Sequence, residues 1–263
     1  MIIRPETAPL LQGVIFDLFG TLIRPQRLHV SAVGPNSSDA FEDVNTAGLL
    51  RWAAARGLPT SPEAAEVVRE ARRWIWAETN ATGRQLLNRD AMARAAERLG
   101  WPRDDAFLDE ASGVFFQPEV GMVEAYPDSF DALVALREMG LRLGLISNAS
   151  DHRLIEGVMA RTGLAPYFDP IVSSAGYGRI KPDPGIFRCV VDRWRLPAER
   201  CVMVGDTLDA DVGGAHAVGM RAILVTMDPN PHNVGIAKEF VPDAGAGSLK
   251  EAAGIIRRWM DRD

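Results

Sequence analysis

Five short runs of β-branched and apolar residues decide what this chain can fold into: Gly13–Leu18, Leu143–Ser147, Ile171–Ser174, Cys201–Gly205 and Arg221–Thr226. They are nearly continuous in hydrophobicity, the pattern of strands covered on both faces. Helical spacing fills the stretches between and after the later runs. Ser129–Met139 stops at Gly140, His152–Thr162 stops at Gly163, and Asp183-Pro184 supplies a cap and a first-turn proline for a helix through Trp194. Ala210–Val218 precedes Gly219, and Ser248–Met260 closes the pattern. Strands alternating with helices predict α/β architecture, a Rossmann-like parallel sheet with helices on both faces.

Residues 36–120 break that alternation. They hold no strand pattern but several helical ones: Asp39–Arg56, a helix opened by Ser61-Pro62-Glu63 and running through Glu78, Asp90–Leu99, and Asp104–Phe116. The expected organisation is therefore an α/β core from residues 1–35 and 121–263, with a small all-helical cap inserted at 36–120. Residues 24–37, with Pro25, Gly34 and Pro35, read as the hinge into it.

Each of four sites in the core places reactive groups at the end of an apolar run. Val14-Ile15-Phe16-Asp17 delivers a carboxylate there, and Gly20 allows a sharp turn beside it. In open parallel sheets ligands bind outside the carboxyl ends of the strands, where a carboxylate serves as nucleophile, as metal ligand or as both. An aspartate there also serves simply to cap a turn. Gly144-Leu145-Ile146-Ser147-Asn148 ends in a hydroxyl suited to an anionic oxygen, with backbone N–H groups nearby, or equally suited to capping the next helix.

Ile180-Lys181-Pro182-Asp183-Pro184 carries one of only three lysines, the others being Lys238 and Lys250, in a chain with 29 basic residues. Where arginine is otherwise the rule, a compact ammonium suits a point charge between crowded anions. Val204-Gly205-Asp206 followed by Asp209 and Asp211 gathers acids that call for a hard cation; magnesium takes one or two carboxylates plus substrate oxygens. Gly213, Gly214 and Gly219 are expected to let the following helix approach the sheet closely.

These four elements, in this order, resemble the signature motifs of the haloacid dehalogenase-like hydrolase superfamily from about Gly13 to Thr226, and the helical insertion is similar to that superfamily's cap. The resemblance implies that Asp17 attacks phosphorus to form an aspartyl-phosphate. It implies Mg²⁺ held by Asp17, the Phe19 carbonyl, Asp206 and Asp211, with phosphoryl oxygens bound by Ser147, Asn148 and Lys181. Asp17, Ser147 and Lys181 would be the catalytic set. One residue departs from the pattern. Phosphatases of the superfamily carry a second aspartate two positions after the nucleophile, and Phe19 stands there. A positioned general acid–base is worth roughly 10²–10⁴ in rate.

The expected activity is a Mg-dependent phosphatase for a small phosphorylated metabolite. A 2-haloacid dehalogenase is the first alternative, since an aromatic residue at that position fits and halide needs no proton. A weakly catalytic ligand-binding protein is the second. Residues 22–142 contain no lysine, which excludes phosphonate cleavage through a cap Schiff base. In the insertion, Trp52, Trp74, Trp76 and Trp101 read as packing, and among Arg69, Arg72, Arg73 and Arg84 the loop residue Arg84 is the cation expected to meet substrate. His29, His152, His216 and His232 fit no catalytic spacing.

Net charge of −6 without a basic stripe argues against a nucleic-acid partner. No apolar stretch reaches the length of a membrane span, and no leader-like apolar segment opens the chain. Cys189 and Cys201 lack metal spacing and read as buried and reduced. A cytoplasmic enzyme, monomer or homodimer, is the expectation.

Overall fold

The structure, a computed structural model, describes residues 11–26 and 37–261, the side chains of 37–40 excepted. Six parallel strands form the main sheet: β1 (Gly13–Phe16), β4 (Arg142–Ser147), β5 (Ile171–Ser173), β6 (Cys201–Gly205), β7 (Arg221–Val225) and β8 (Ala244–Ala246). Their order is β5-β4-β1-β6-β7-β8. All five expected runs are strands; β8 is additional, a three-residue edge of Ala-Gly-Ala with no hydrophobic signature.

The apolar runs are buried on both faces because each face has its own helices. Val14 and Phe16 join one core with α6 (Ser129–Glu138), α7 (His152–Thr162) and α11 (Leu249–Met260). Ile15 and Met203 join the opposite core with α9 (Pro184–Trp194) and α10 (Gly214–Ala217). Gly213 and Gly214 make room for side chains rather than for the sheet: an added Cβ would strike the rings of Phe240 and Phe187 respectively.

The insertion folds as α1 (Ser37–Ala55), α2 (Pro62–Thr82), α3 (Asn88–Leu99), α4 (Asp105–Phe115) and α5 (Gln117–Gly121). Buried Ala64, Val68, Ala71 and Ile75 follow helical spacing along α2 and face the other helices. At its base, β2 (Ile23–Pro25) and β3 (Val123–Ala125) pair antiparallel, with Ile23 opposite Ala125. Arg24 and Glu124 sit opposite each other and form an ion pair across the ladder at 3.0 Å. The start of the expected hinge is thus a strand; residues 27–36, and with them His29, lie outside the described residues.

Trp52, Trp74 and Trp101 pack within the helical layer, whereas Trp76 is 69% exposed. Cys201 is buried, but Cys189 is exposed on α9, which corrects the expectation for that residue. Its neighbours Phe187, Val190 and Val191 take the inward face of the helix. Among the described residues no helix is long and apolar enough to cross a membrane.

Candidate active site

Sheet register brings three of the four motifs together. β1 lies between β4 and β6, with Phe16 level with Leu145 on one side and Val204 on the other. Asp17 is the next residue out from Phe16, while Ser147 ends β4 and Asp206 directly follows β6. The chain turns outward in both directions from β1, so this is the crevice where the strand order reverses. The Asp17 N–H donates to the Val204 carbonyl at 3.0 Å, which extends the ladder to the nucleophile candidate itself.

Lys181 arrives from the loop before α9 and closes the fourth side. Its Nζ donates to Asp17 Oδ1 at 2.6 Å, to Asp211 Oδ1 at 2.7 Å and to the Ile146 carbonyl at 3.1 Å. All three ammonium protons are therefore used, and the side chain is 3% exposed. Asn148 fixes the loop that carries it: its Oδ1 accepts from the Lys181 N–H at 2.8 Å and its Nδ2 donates to the Lys181 carbonyl at 3.2 Å. Asp183 caps α9 through the Gly185 N–H, as its position before Pro184 requires.

Two glycines admit the acids. Gly20 has φ of +76°, and a Cβ there would come within 2.5 Å of Asp206 Oδ2. A Cβ at Gly205 would overlap the Asp211 carboxylate. Asp206 accepts from the Thr207 hydroxyl at 3.0 Å and from Asn230 Nδ2 at 2.9 Å. The Asn233 amide donates to the Asp206 carbonyl at 2.8 Å. Asp211 Oδ2 accepts from the Thr207 N–H at 3.0 Å, tying the turn that precedes a π-helical segment, Leu208–Gly213. Asp209 points elsewhere and pairs with the exposed His232. His216 pairs with Asp243, and His152 bonds Ser173 Oγ; none of the three enters this site.

Oxygens of Asp17, Asp206 and Asp211 lie within 4.8 Å of one another. Hard carboxylate donors in one cluster, with one ammonium among three acids, fit a divalent cation of the magnesium type. The electrostatics agree. Burial pushes Asp17 up to about 6; Lys181 pulls it down by less than that, and Asp211 adds to the rise. Burial followed by repulsion from Asp17 and Asp211 pushes Asp206 up to about 7. Lys181 is raised despite burial, because Asp17 and Asp211 face it.

Ser147 is buried at the end of β4. Helix α7 is capped by Asp151, which accepts from the Arg153 N–H at 2.9 Å, so Ser147 is not that helix's cap.

Above these strand ends a cavity of about 320 Å³ opens between the helical layer and the core. Phe19 and Asn148 line it from the core side, and Arg72, Thr79 and Glu119 from the helices. Arg84 does not reach it; that residue lies in the loop after α2, bridged through its backbone to Arg179. The cation on the cavity is Arg72, held by Glu42 at 3.3 Å and by Asn88 and Ser150 at 3.0 Å. Of the four tryptophans, Trp76 alone lines the cavity.

The order of the motifs gave no sign of Asn230, Asn233 or Glu119. The two asparagines had a signal, Asp228-Pro-Asn-Pro-His-Asn just past a strand end, which is turn chemistry at the sheet's binding edge. Glu119 had none.

The family model for haloacid dehalogenase-like hydrolases matches residues 11–219. The chain belongs to this family of hydrolases. A phosphoserine phosphatase of Thermus thermophilus is 31% identical over 204 residues, covering 74% of this chain and 78% of that one. A glyceraldehyde 3-phosphate phosphatase of Methanopyrus kandleri is 29% identical over 61% of this chain and 68% of its own length. Another, of Methanocaldococcus jannaschii, is 33% identical but matched over only 46% of its length. Among solved structures, a 2-haloacid dehalogenase of Pseudomonas syringae superposes with a TM-score of 0.68 at 25% identity, over 95% of this chain and 100% of that one.

Proposed function

We propose that this hydrolase is a magnesium-dependent phosphatase of a small phosphorylated molecule, with Asp17 as nucleophile. The observation that carries the reading is charge: three clustered carboxylates face a single ammonium. That surplus suits a divalent cation and opposes a carboxylate-bearing haloacid. The phosphatase names of the relatives from Thermus thermophilus and Methanopyrus kandleri support the same choice.

In this reading Asp17, Asp206, Asp211 and the Phe19 carbonyl hold Mg²⁺, which when bound offsets the negative charge gathering on the phosphoryl oxygens. Asp17 attacks phosphorus; the ester bond breaks and the phosphoryl group passes to the carboxylate. Lys181 holds the attacking carboxylate in place and shares its charge with the phosphoryl oxygens, together with Ser147 and the backbone at Asn148. Residues 36–120 act as the cap that selects substrate and excludes water.

A second reading has its own support in Phe19 and in the likeness to the Pseudomonas syringae dehalogenase. One assay separates them. Hydrolysis of p-nitrophenyl phosphate that requires added Mg²⁺ and vanishes in Asp17→Asn is the expected result. Metal-independent halide release from 2-chloropropionate, without phosphate release, would establish the dehalogenase instead. Binding of Mg²⁺ or phosphate with turnover of neither substrate would make the chain a ligand-binding protein.

A further inference from the structure

Position 19 leaves a chemical gap, because a phenyl ring neither donates a proton to a departing alkoxide nor accepts one from water. The cavity that Phe19 lines contains a carboxyl group with no cation partner in its hydrogen bonds. Glu119 sits on α5, where the helical layer returns to the core, and is 8% exposed. Its Oε2 accepts from Asn45 Nδ2 at 2.8 Å, and its own N–H donates to Asn45 Oδ1 at 3.2 Å. A neutral amide thus fixes both its backbone and one carboxyl oxygen, leaving Oε1 to carry a proton.

The other groups facing it are Arg72, which favours its charged form, and Glu42, which opposes it. Arg72 is shared among Glu42, Asn88 and Ser150, and does not bond Glu119. Burial, with Glu42 adding to it, outweighs the Asn45 bond and Arg72 and lifts the Glu119 carboxyl to about 7, so near neutrality it holds a proton and releases it readily.

Resting on the phosphatase reading above, we propose that Glu119 is the acid–base residue of this enzyme, reaching the leaving oxygen from the cap side where Phe19 offers nothing. The steps balance. Asp17 displaces the alkoxide from phosphorus as the P–O ester bond breaks, and the alkoxide takes the Glu119 proton and departs as an alcohol. The Glu119 carboxylate then takes a proton from water as that water's oxygen attacks phosphorus. The Asp17–phosphorus bond breaks, phosphate leaves, and both carboxyl groups return to their starting forms.

The test compares leaving groups in the magnesium-loaded enzyme. For Glu119→Gln, kcat/KM on phenyl phosphate, which reports the chemistry up to departure of the leaving group, should fall by roughly 10²–10⁴, with a clearly smaller fall on p-nitrophenyl phosphate, whose leaving group needs little protonation. Glu119→Asp, which keeps an acid, should retain more of the phenyl phosphate rate than Glu119→Gln. Adding Phe19→Asp to Glu119→Gln should restore part of it by returning a proton donor to the other side. An equal fall in kcat/KM on both esters, a rise in KM with kcat unchanged, or no change would each overturn the proposal while the phosphatase reading stands. Wild-type enzyme that hydrolyses neither ester with Mg²⁺ would overturn both.

Discussion

At the end of the sheet, buried charge is met by opposite charge: Lys181 spends every proton on Asp17, Asp211 and a carbonyl within 3.1 Å. In the cavity beneath the helices, Glu119 is equally removed from water and its side chain is bonded by an amide. The first arrangement fixes its acids around one cation, which leaves Asp17 at about 6 and Asp206 at about 7 and suits a nucleophile and a metal seat. The second lets the carboxyl keep its proton, which suits exchange with a substrate. Burial penalises charge in both places; at the sheet an ammonium bonded to Asp17 opposes that penalty, and in the cavity a neutral amide bond and the field of Arg72 oppose it.

The largest effect expected from breaking this contrast is at Lys181. Lys181→Met leaves Asp17 and Asp211 facing each other with no cation between them. Removing one partner of a buried ion pair costs roughly 3–5 kcal/mol. Denaturant unfolding of the metal-free protein should show that loss, and phosphate-ester turnover should disappear. On the proposed metal site, added Mg²⁺ should recover part of the stability, as any ligand that binds the folded cluster and not the unfolded chain would.

Next in size is the pH dependence that Glu119 imposes. Its carboxyl is raised from 4.5 to about 7. Below 4.5 it is protonated in both the folded and the unfolded chain and costs nothing. Between there and about 7 the unfolded chain gives up the proton while the folded one keeps it, so stability falls as pH rises. The decline is about 1.4 kcal/mol per pH unit and ends near neutrality. Asp17 and Asp206 contribute in the same direction, but they are common to wild type and Glu119→Gln. The difference between the two proteins across pH 4–8, read from urea midpoints, should isolate the Glu119 slope. Parallel curves would show that Glu119 titrates alike in the folded and the unfolded chain, and would remove the contrast.

The unequal legibility of the two regions has the same origin. Asp17, Ser147 and Asp206 were visible because each terminates or adjoins a continuous apolar run, and a parallel sheet brings its strand ends to one edge. Lys181 stood out because arginine is the chain's usual cation. Residues meeting in the cavity come from helices whose mutual placement depends on tertiary packing. Nothing in the spacing of Asn45 and Glu119, 74 positions apart, announces a hydrogen bond. Arg84 looked suited to substrate because it lies in a loop, yet that loop faces Arg179, while Arg72 reaches the cavity from mid-helix. The short strands β2, β3 and β8 were missed for a related reason: three residues are too few to establish a period of two.

Asn45 offers a sharper probe of the cavity. Asn45→Ala removes the donor to Glu119 Oε2 and the acceptor for the Glu119 N–H together. Leaving buried polar groups unsatisfied costs roughly 1–3 kcal/mol each, although a small void there admits water and trims the loss. With the amide gone, the Glu119 carboxyl should titrate higher still, because the bond that favours its charged form is lost. The stability slope that Glu119→Gln abolishes should then extend to higher pH in Asn45→Ala, and an unmoved slope would mean that Asn45 only packs.

The smallest structural effect belongs to Trp76. The other tryptophans of the helical layer are anchored: Trp101 is 5% exposed and donates to the Pro59 carbonyl at 2.9 Å, and Arg94 lies over Trp74. Trp76 is 69% exposed yet lines the cavity, so its indole has no packing role in proportion to its size. Trp76→Ala should change the unfolding free energy by no more than about 0.5 kcal/mol, the usual range for a surface substitution. Aromatic contact is worth roughly 0.5–1.5 kcal/mol. Loss of the indole should therefore raise KM for phenyl phosphate about two- to tenfold with little change in kcat. It should leave acetyl phosphate, which has no ring, unaffected. A fall in kcat for both substrates would instead assign Trp76 to closing the helical layer over the sheet, making it part of the machinery that excludes water rather than a surface that meets the leaving group.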